Sequence, residues 1–250
     1  MKISAAIITL NEERNIARCI DSLRDIADEI LVMDSGSIDR TEEICKEKDV
    51  KFFFQPWLGY AQQKNHLNKQ ASYDMILSID ADEEISQALS MEILALKKEC
   101  THGVFALNRL TNYCGTWIYH SGWYPDFKVR LFPKEYVWEG DVVHESLRVP
   151  KGITPVFLKG HLNHYSYYSL EQHRKRADYY SSLTAIKYAN EGKTVFIGKP
   201  VLSAVFRFFA MYLFKFGFLD GIAGFHIARI SAASNFYKYK EVQRLKSELK

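Results

Sequence analysis

Apolar runs that alternate with helical segments in the first third of the chain limit the possible folds more than any other feature. The apolar runs cover residues 3–10, 29–34, 50–55 and 74–79, and helical patterns fill 12–23, 37–47 and 62–70. The first run is continuous, as in a strand that is buried on both faces. Strands separated by helices of this length predict an α/β fold with a parallel, doubly wound sheet.

The pattern changes after Gly103. Two further strands are predicted at residues 104–109 and 128–132, with an aromatic loop at 113–126 between them. A polar helix at 169–189 and an apolar, aromatic segment at 199–239 follow. We therefore expect an α/β domain over residues 1–165 and a helical C-terminal extension over 166–250.

Composition excludes some classes of protein. A chain of 250 residues that is 47% hydrophobic can bury a full core, and a net charge of +3 is too balanced to indicate a nucleic-acid binder. The four cysteines show no zinc or redox spacing, so we expect reduced, buried thiols in a cytosolic protein.

The N-terminal apolar run is too short for a secretion signal and runs directly into Asn11 and Glu12, so it is interpreted as a core strand. No stretch has the roughly 18–20 uninterrupted apolar residues that a membrane-spanning helix requires. We expect the chain to stay on the side of the membrane where it is made.

Polar clusters follow three of the predicted strands, at residues 9–12, 34–37 and 80–83. In doubly wound sheets, ligands bind at the carboxyl ends of the strands. One such cluster is ordinary loop chemistry, but three at the same edge of the sheet predict a ligand site there.

Asp80 and Asp82 flank one small residue at the end of the fourth strand. Two carboxylates so placed can reach one divalent cation that bridges a diphosphate. The alternative is a helix N-cap, because residues 80–84 precede a helical pattern and acidic residues favour that position.

The order of these motifs resembles the donor-binding half of glycosyltransferase family 2. The motifs that carry the resemblance are 7–13 (IITLNEE), 34–41 (DSGSIDRT), 57–65 (WLGYAQQKN) and 78–83 (SIDADE). Later motifs are similar to the branch of this family that extends the inner core of bacterial lipopolysaccharide: 122–126 (GWYPD), 130–132 (RLF), 143–145 (VHE) and 217–221 (GFLDG). The resemblance covers nearly the whole chain.

The resemblance implies a GT-A fold, in which a Rossmann-like, mostly parallel central sheet is flanked by helices. It also implies a nucleotide-sugar donor, a divalent metal (Mn²⁺ or Mg²⁺) and inversion at the sugar carbon. A UDP-hexose, glucose by the branch resemblance, and a heptose of a lipid-linked lipopolysaccharide or lipooligosaccharide core are the expected substrates. The alternatives are a transferase for another glycan or glycolipid, and a non-catalytic carbohydrate- or membrane-binding protein that retains the fold.

By position, the resemblance also assigns the donor site. Its expected residues are Thr9, Leu10, Asn11, Glu12, Asp34, Ser35, Lys64, Asp80 and Ala81. Many family members carry two acids where this chain has Asp34 and Ser35. The alternative for Lys64, which is expected to approach the diphosphate, is a solvated charge on a helix.

Inversion in one displacement needs a base that removes the proton of the acceptor hydroxyl. The candidates are Glu145, which we favour, and Asp126. The structural alternatives are an ion pair of Glu145 with Arg130 or Arg148, and a turn role for Asp126 after a proline.

A histidine in the second half is expected to complete the metal site, and His164 is preferred over His161. The acceptor is expected to contact the aromatic loop and the strand that follows it, through Trp117, Trp123, Tyr124 and Arg130.

The last segment mixes phenylalanines with Arg207 and Lys215. This composition is typical of a helix that lies in a membrane surface, and it predicts a peripheral protein on the inner face of the cytoplasmic membrane. The alternatives are a buried helix that closes the domain and a homodimer interface.

Overall fold

The computed structural model describes residues 1–140 and 145–248, without the side chain of the last. Its chain divides into two compact units. The first comprises Met1–Leu110 and Asp126–Tyr165, and the second comprises Thr111–Pro125 and Ser166–Lys250. Residues 111–125 therefore group with the C-terminal helices, whereas the sequence-based division placed them in the first domain.

The elements follow the predicted alternation. The strands are β1 Ile3–Thr9, β2 Glu29–Asp34, β3 Lys51–Phe54, β4 Met75–Asp80, β5 Glu83–Ile85, β6 Phe105–Tyr113, β7 Thr116–Ile118, β8 Phe127–Pro133, β9 Trp138–Glu139, β10 Ser146–Leu147 and β11 Val156–Tyr167. The α-helices are α1 Ile16–Leu23, α2 Thr41–Glu47, α3 Tyr60–Lys69, α4 Gln87–Lys98, α5 Leu170–Asn190, α6 Lys199–Phe209 and α7 Gly221–Glu248.

In the described residues, the long sheet has the strand order β3-β2-β1-β4-β8-β6-β11-β5. Strands β1 to β4 are parallel to one another, and β8 is antiparallel to β4. Every residue of β1 is buried, because apolar clusters cover both faces of this part of the sheet. The predicted α/β fold is confirmed, with a sheet that is parallel in its first half and mixed as a whole.

The first two helices begin about four residues later than predicted, at Ile16 and Thr41. The polar residues before them form loops at the strand ends instead. The predicted apolar face of α1 is confirmed, since Ile16, Cys19, Ile20 and Leu23 are buried. Cys19 and Cys45 are buried free thiols as expected, but that expectation is wrong for Cys100 and Cys114, which are exposed.

In the second unit, α6 continues through a π-helical turn and a 3-10 turn into α7. Gly217 and Gly224 allow this tight connection, because a Cβ on Gly224 would lie 1.8 Å from the carbonyl oxygen of Gly217. In the described residues, no single helix is long and apolar enough to cross a membrane. Residues 199–214 and 217–247 satisfy that test only as a pair, with a bend of 72° between them.

Candidate active site

Asp80 and Asp82 lie at the carboxyl end of β4, where the parallel half of the sheet meets antiparallel β8. Ala81 between them packs into the core, whereas both aspartate side chains are partly exposed. The N-cap alternative is wrong, because α4 begins at Gln87 and its cap is Ser86, whose hydroxyl accepts the N–H of Leu89. The two aspartates are therefore free of any role in starting that helix.

Arg130 fixes the orientation of Asp80. Its Nη2 atom lies 2.6 Å from Asp80 Oδ2 and 2.6 Å from Glu83 Oε1, and its residue is only 4% exposed. Glu83 closes the arrangement, since its Oε2 accepts the backbone N–H of Asp80 at 3.0 Å. A buried cation thus lies between two carboxylates and limits the orientations available to Asp80.

Lys64 approaches the same aspartate from α3. Its Nζ lies 3.1 Å from Asp80 Oδ1 and 3.3 Å from Glu145 Oε1, and it lies 4.7 Å from the centre of the Trp138 ring. The residue is 2% exposed, so the alternative of a solvated helix charge is wrong. One ammonium group therefore joins the candidate base to the acidic motif.

These two cations set the protonation of the motif. Burial would raise the pKa of Asp80, but the charges of Arg130 and Lys64 outweigh burial and hold that pKa well below its ordinary value. Burial would lower the pKa of Arg130, but Asp80 and Glu83 raise it above its ordinary value. Asp80 is consequently an anion at neutral pH.

His164 lies beside Asp82 because β11 runs antiparallel to β5. The register pairs His164 with Glu83, and the N–H of Tyr165 donates to the carbonyl oxygen of Asp82 at 2.9 Å. As a result, His164 Nε2 lies 3.3 Å from Asp82 Oδ2. The sequence-based choice of His164 over His161 thus corresponds to the histidine that the sheet brings to the motif.

The spacing of Asp82 and His164 fits a divalent cation. Two ligand atoms that each lie about 2.1 Å from an octahedral ion, at a right angle, are roughly 3 Å apart. A carboxylate oxygen and an imidazole nitrogen also suit Mn²⁺. In the described residues, no group of three His, Cys, Asp or Glu side chains is placed to hold a metal. Direct ligation by Asp80 stays a prediction.

Asp126 pairs with two cations, and one of them, Arg109, also lies 3.7 Å from Glu83 Oε1. Its Oδ2 accepts from Arg109 Nε at 2.9 Å and Nη2 at 2.7 Å, and its Oδ1 lies 3.0 Å from Lys128 Nζ. Burial would raise the pKa of Asp126, but Arg109 and Lys128 lower it below its ordinary value. A carboxylate with a lowered pKa is a weaker proton acceptor, so this environment counts against Asp126 as the base.

The loops at the other strand ends are tied together by the predicted donor residues. Asn11 adopts a left-handed conformation (φ 54°), and its Oδ1 accepts the N–H of Ile38 from the neighbouring loop at 2.8 Å. Asp34 closes that loop by accepting the N–H groups of Gly36 and Ser37. The carboxylate of Asp34 therefore shapes the loop itself.

The remaining predicted donor residues differ in exposure. Leu10 is half-exposed, Glu12 is partly buried and binds Asn15, and Ser35 accepts from Gln63 at 3.2 Å. Thr9 is buried, and its hydroxyl has no hydrogen-bond partner among the described residues. An unsatisfied buried hydroxyl at a strand end indicates a ligand contact more than a structural role.

The predicted acceptor residues are divided between the two units. Arg130 is buried against the acidic motif, and its role towards the acceptor stays a prediction. Trp117, Trp123 and Tyr124 belong to the second unit. Trp123 packs there against Tyr113 and Tyr167 in an apolar cluster.

Asp220 explains one of the later motifs. Its carboxylate accepts the backbone N–H groups of Tyr119 and His120 and the hydroxyl of Ser121. This aspartate therefore holds the aromatic loop within the second unit. Of motif 143–145, the first two residues lie outside the described part of the chain.

Sequence reasoning did not assign roles to Glu83, Arg109 or Trp138. Glu83 directly follows the acidic pair, but its position also fitted a helix cap. Trp138 lies under Lys64, and Arg109 holds Asp126. The sequence offers no local signal for these last two, because their partners are 74 and 17 residues away.

Comparison with known proteins agrees with this geometry. The model for glycosyl transferase family 2 matches residues 4–148. An uncharacterized glycosyltransferase of Rickettsia typhi is 31% identical over 98% of this chain and 87% of its own length. The lipopolysaccharide core biosynthesis glycosyltransferase LpsC of Rhizobium meliloti is 28% identical over 94% of this chain and 90% of its own.

Among solved structures, the glucosyl-3-phosphoglycerate synthase of Mycobacterium tuberculosis, in complex with Mn²⁺, uridine diphosphate and glucosyl-3-phosphoglycerate, is partly similar. Its TM-score is 0.36 at 23% identity, with 44% of each chain covered. The present chain thus spans less than half the length of that protein.

Proposed function

From the premise that this chain belongs to glycosyltransferase family 2, we propose that it transfers a hexose from a UDP-sugar to a lipopolysaccharide core, with inversion and with a divalent metal. Glycosyl transfer is the activity of the family, and the mixed sheet flanked by helices is the GT-A fold that the sequence predicted. The donor, the acceptor, the metal and the stereochemistry are the proposed parts.

The observation that carries the proposal is the position of Lys64 between Asp80 and Glu145. Transfer needs a site for the diphosphate and a base close to the sugar carbon. Lys64 contacts the carboxylates proposed for both functions, with distances of 3.1 Å and 3.3 Å. Donor binding and proton removal are therefore proposed at one end of one sheet.

The metal would be held by Asp82 and His164, with Asp80 next to them. When bound, it would neutralise the charge that develops on the leaving diphosphate. Lys64 adds a positive charge beside Asp80, close to the proposed metal. Arg130 keeps Asp80 ionised and oriented, so that the motif is ready before the donor binds.

Glu145 is the proposed base. Its carboxylate accepts the proton of the acceptor hydroxyl while that oxygen forms a bond to the anomeric carbon. The bond from this carbon to the diphosphate oxygen breaks, and UDP leaves with the electron pair. A single displacement of this kind inverts the configuration of the sugar carbon.

The substrates are proposed from the similarity of this chain to LpsC and to the inner-core branch of the family. LpsC is a glycosyltransferase of lipopolysaccharide core biosynthesis, and it aligns with nearly the whole chain. We therefore propose a lipopolysaccharide core as the acceptor, and the resemblance to the inner-core branch makes a heptose of that core the proposed attachment site. Glucose as the sugar rests on the motifs shared with the inner-core branch of the family.

Donor binding gives the direct test. UDP with Mn²⁺ is expected to raise the melting temperature of the parent protein, because a ligand that binds only the folded state stabilises it. Asp82→Asn should lose the metal-dependent part of the shift, and Asp25→Asn, on the surface after α1, should keep it. If no nucleoside diphosphate shifts the melting temperature with either metal, the proposed donor site is wrong.

We also propose that the second unit binds the inner face of the cytoplasmic membrane. Phe206 and Phe214 are each 71% exposed, and Ile222 is 72% exposed. Arg207 and Lys215 lie among these side chains in the sequence. Exposed aromatic residues interspersed with cations match the boundary between acyl chains and anionic headgroups.

Vesicle flotation tests this location. The parent should float with vesicles of phosphatidylcholine and phosphatidylglycerol at low salt. Phe206→Ser with Phe214→Ser should weaken binding by roughly tenfold or more for each side chain. Ile38→Ser with Phe54→Ser removes two exposed apolar side chains from the first unit and should change little. Equal behaviour of the two double variants would contradict the proposal.

A further inference from the structure

A cavity in the second unit collects positive charge. It has a volume of about 600 Å³ and lies between the end of α5, the start of α6 and α7. Lys193 and Lys199 line it, together with the rings of Tyr188 and Tyr239. None of its lining residues is acidic.

The lysines lie over aromatic rings. Lys193 Nζ is 3.6 Å from the centre of the Tyr188 ring, and Lys199 Nζ is 5.4 Å from that of Tyr239. Lys238 Nζ lies 4.6 Å from the Tyr239 ring. Aromatic faces attract ammonium groups but leave their charge in place. The charge therefore remains available to an anion.

Of these three lysines, one is paired with a described carboxylate. Lys193 is paired with Glu191 at 3.0 Å, but Lys199 and Lys238 have no ion pair with any described carboxylate. Burial, and then the charges of Arg207 and Lys199, lower the pKa of Lys238. An anion would relieve this repulsion. The positive end of the α6 dipole, at Lys199, lies in the same region.

The loop that forms one wall is anchored to α7. Gln243 Nε2 donates to the carbonyl oxygen of Phe196 at 2.8 Å, and Lys246 Nζ donates to that of Gly192 at 2.6 Å. These contacts hold the loop on α7 and fix the position of the lysines relative to the two rings. The cavity is thus a built feature of the helical unit.

We propose that this cavity binds a phosphate group, with Lys199 and Lys193 as its direct ligands and Lys238 as a supporting positive charge. The phosphate belongs either to a lipid headgroup or to a soluble phosphate compound. Phe196 and Ile197 at the rim are 60% and 95% exposed, which is suited to a phosphate that carries an acyl chain. The inference does not depend on glycosyl transfer.

The test measures binding of two probes to the full chain. The first is inorganic phosphate, measured by calorimetry at constant ionic strength, and the second is phosphatidylcholine vesicles that contain phosphatidic acid. Lys199→Met is expected to weaken phosphate-dependent binding by roughly tenfold or more, the effect of one charge-assisted hydrogen bond. Lys240→Met removes the same charge from the exposed face of α7 and should have little effect.

The outcomes distinguish a lipid headgroup from a soluble phosphate compound as the source of the phosphate. Binding of both probes supports a phosphate site that accepts soluble compounds, and binding of the vesicles alone, still sensitive to Lys199→Met, supports a lipid headgroup. Lys199→Arg should restore binding, which a mere loss of folding would not explain. Asp82→Asn should leave phosphate binding unchanged, so failure of the donor site does not affect the result. The proposal is overturned if neither probe binds or if Lys199→Met equals Lys240→Met.

Discussion

Replacing Glu145 with glutamine is expected to lower the turnover number for sugar transfer by about 10²- to 10⁴-fold, the usual contribution of a general base. Glutamine keeps the size of the side chain but cannot accept the proton of the acceptor hydroxyl. Donor binding should change little, because Lys64 keeps its contact with Asp80 and the proposed metal ligands are untouched. Turnover and donor affinity are measured separately with a UDP-sugar and isolated core acceptor.

Asp126→Asn is the matched control, since it also exchanges one partly buried carboxylate for an amide. Asp126 is paired with Arg109 and Lys128, so the variant should lose some stability but only a small part of its turnover. A parent-like turnover for Glu145→Gln would show that Glu145 is not the base. If Asp126→Asn is instead the inactive variant, the roles of the two carboxylates are reversed.

The sequence predicted those parts of the site that depend on local order. The motif of Asp80 and Asp82 was placed at a strand end because apolar runs and polar clusters alternate with a regular period. Parallel strands then bring the carboxyl ends of β1, β2 and β4 to one edge. The placement of Asp80 and Asp82 at a strand end can thus be predicted without knowing which distant residues contact each other.

The parts that were not predicted depend on contacts between distant residues. Arg130 lies on β8, whose antiparallel pairing with β4 places Leu131 opposite Leu77. A charged residue in a strand is ordinarily assigned to an exposed face, and only this pairing shows that Arg130 lies buried against Asp80 and Glu83. The sequence therefore suggested a surface contact with the acceptor.

The same limit applies to Lys64. It lies 81 residues from Glu145, and its burial follows from the packing of α3 against β9, which places Trp138 beneath the ammonium group. Its place in the family motif predicted a diphosphate contact. Its contact with Glu145, the proposed base, could not be predicted from sequence spacing.

Replacing Arg130 with methionine is expected to destabilise the protein by about 3–5 kcal/mol, the range for removing one partner of a buried ion pair. The variant leaves the carboxylates of Asp80 and Glu83 without the cation that lies 2.6 Å from each. Arg148→Met is the control, because Arg148 pairs with Glu139 on the surface with a 71% exposed side chain. That change should cost less than about 1 kcal/mol. The free energy of unfolding of each variant is measured by urea denaturation at neutral pH.

The pH dependence of the same experiment separates charge from packing. In the parent, the lowered pKa of Asp80 gives a stabilising contribution that is complete above its unfolded value of about 3.9 and declines as the pH falls below it. Without Arg130, two neighbouring carboxylates repel, so one of them should have a raised pKa. The folded variant then binds an extra proton, and its free energy of unfolding should rise as the pH falls from 7 to about 5. The difference from the parent should therefore be smaller at the lower pH. If the difference in free energy of unfolding between parent and variant is the same at both pH values, the variant is destabilised by lost packing alone.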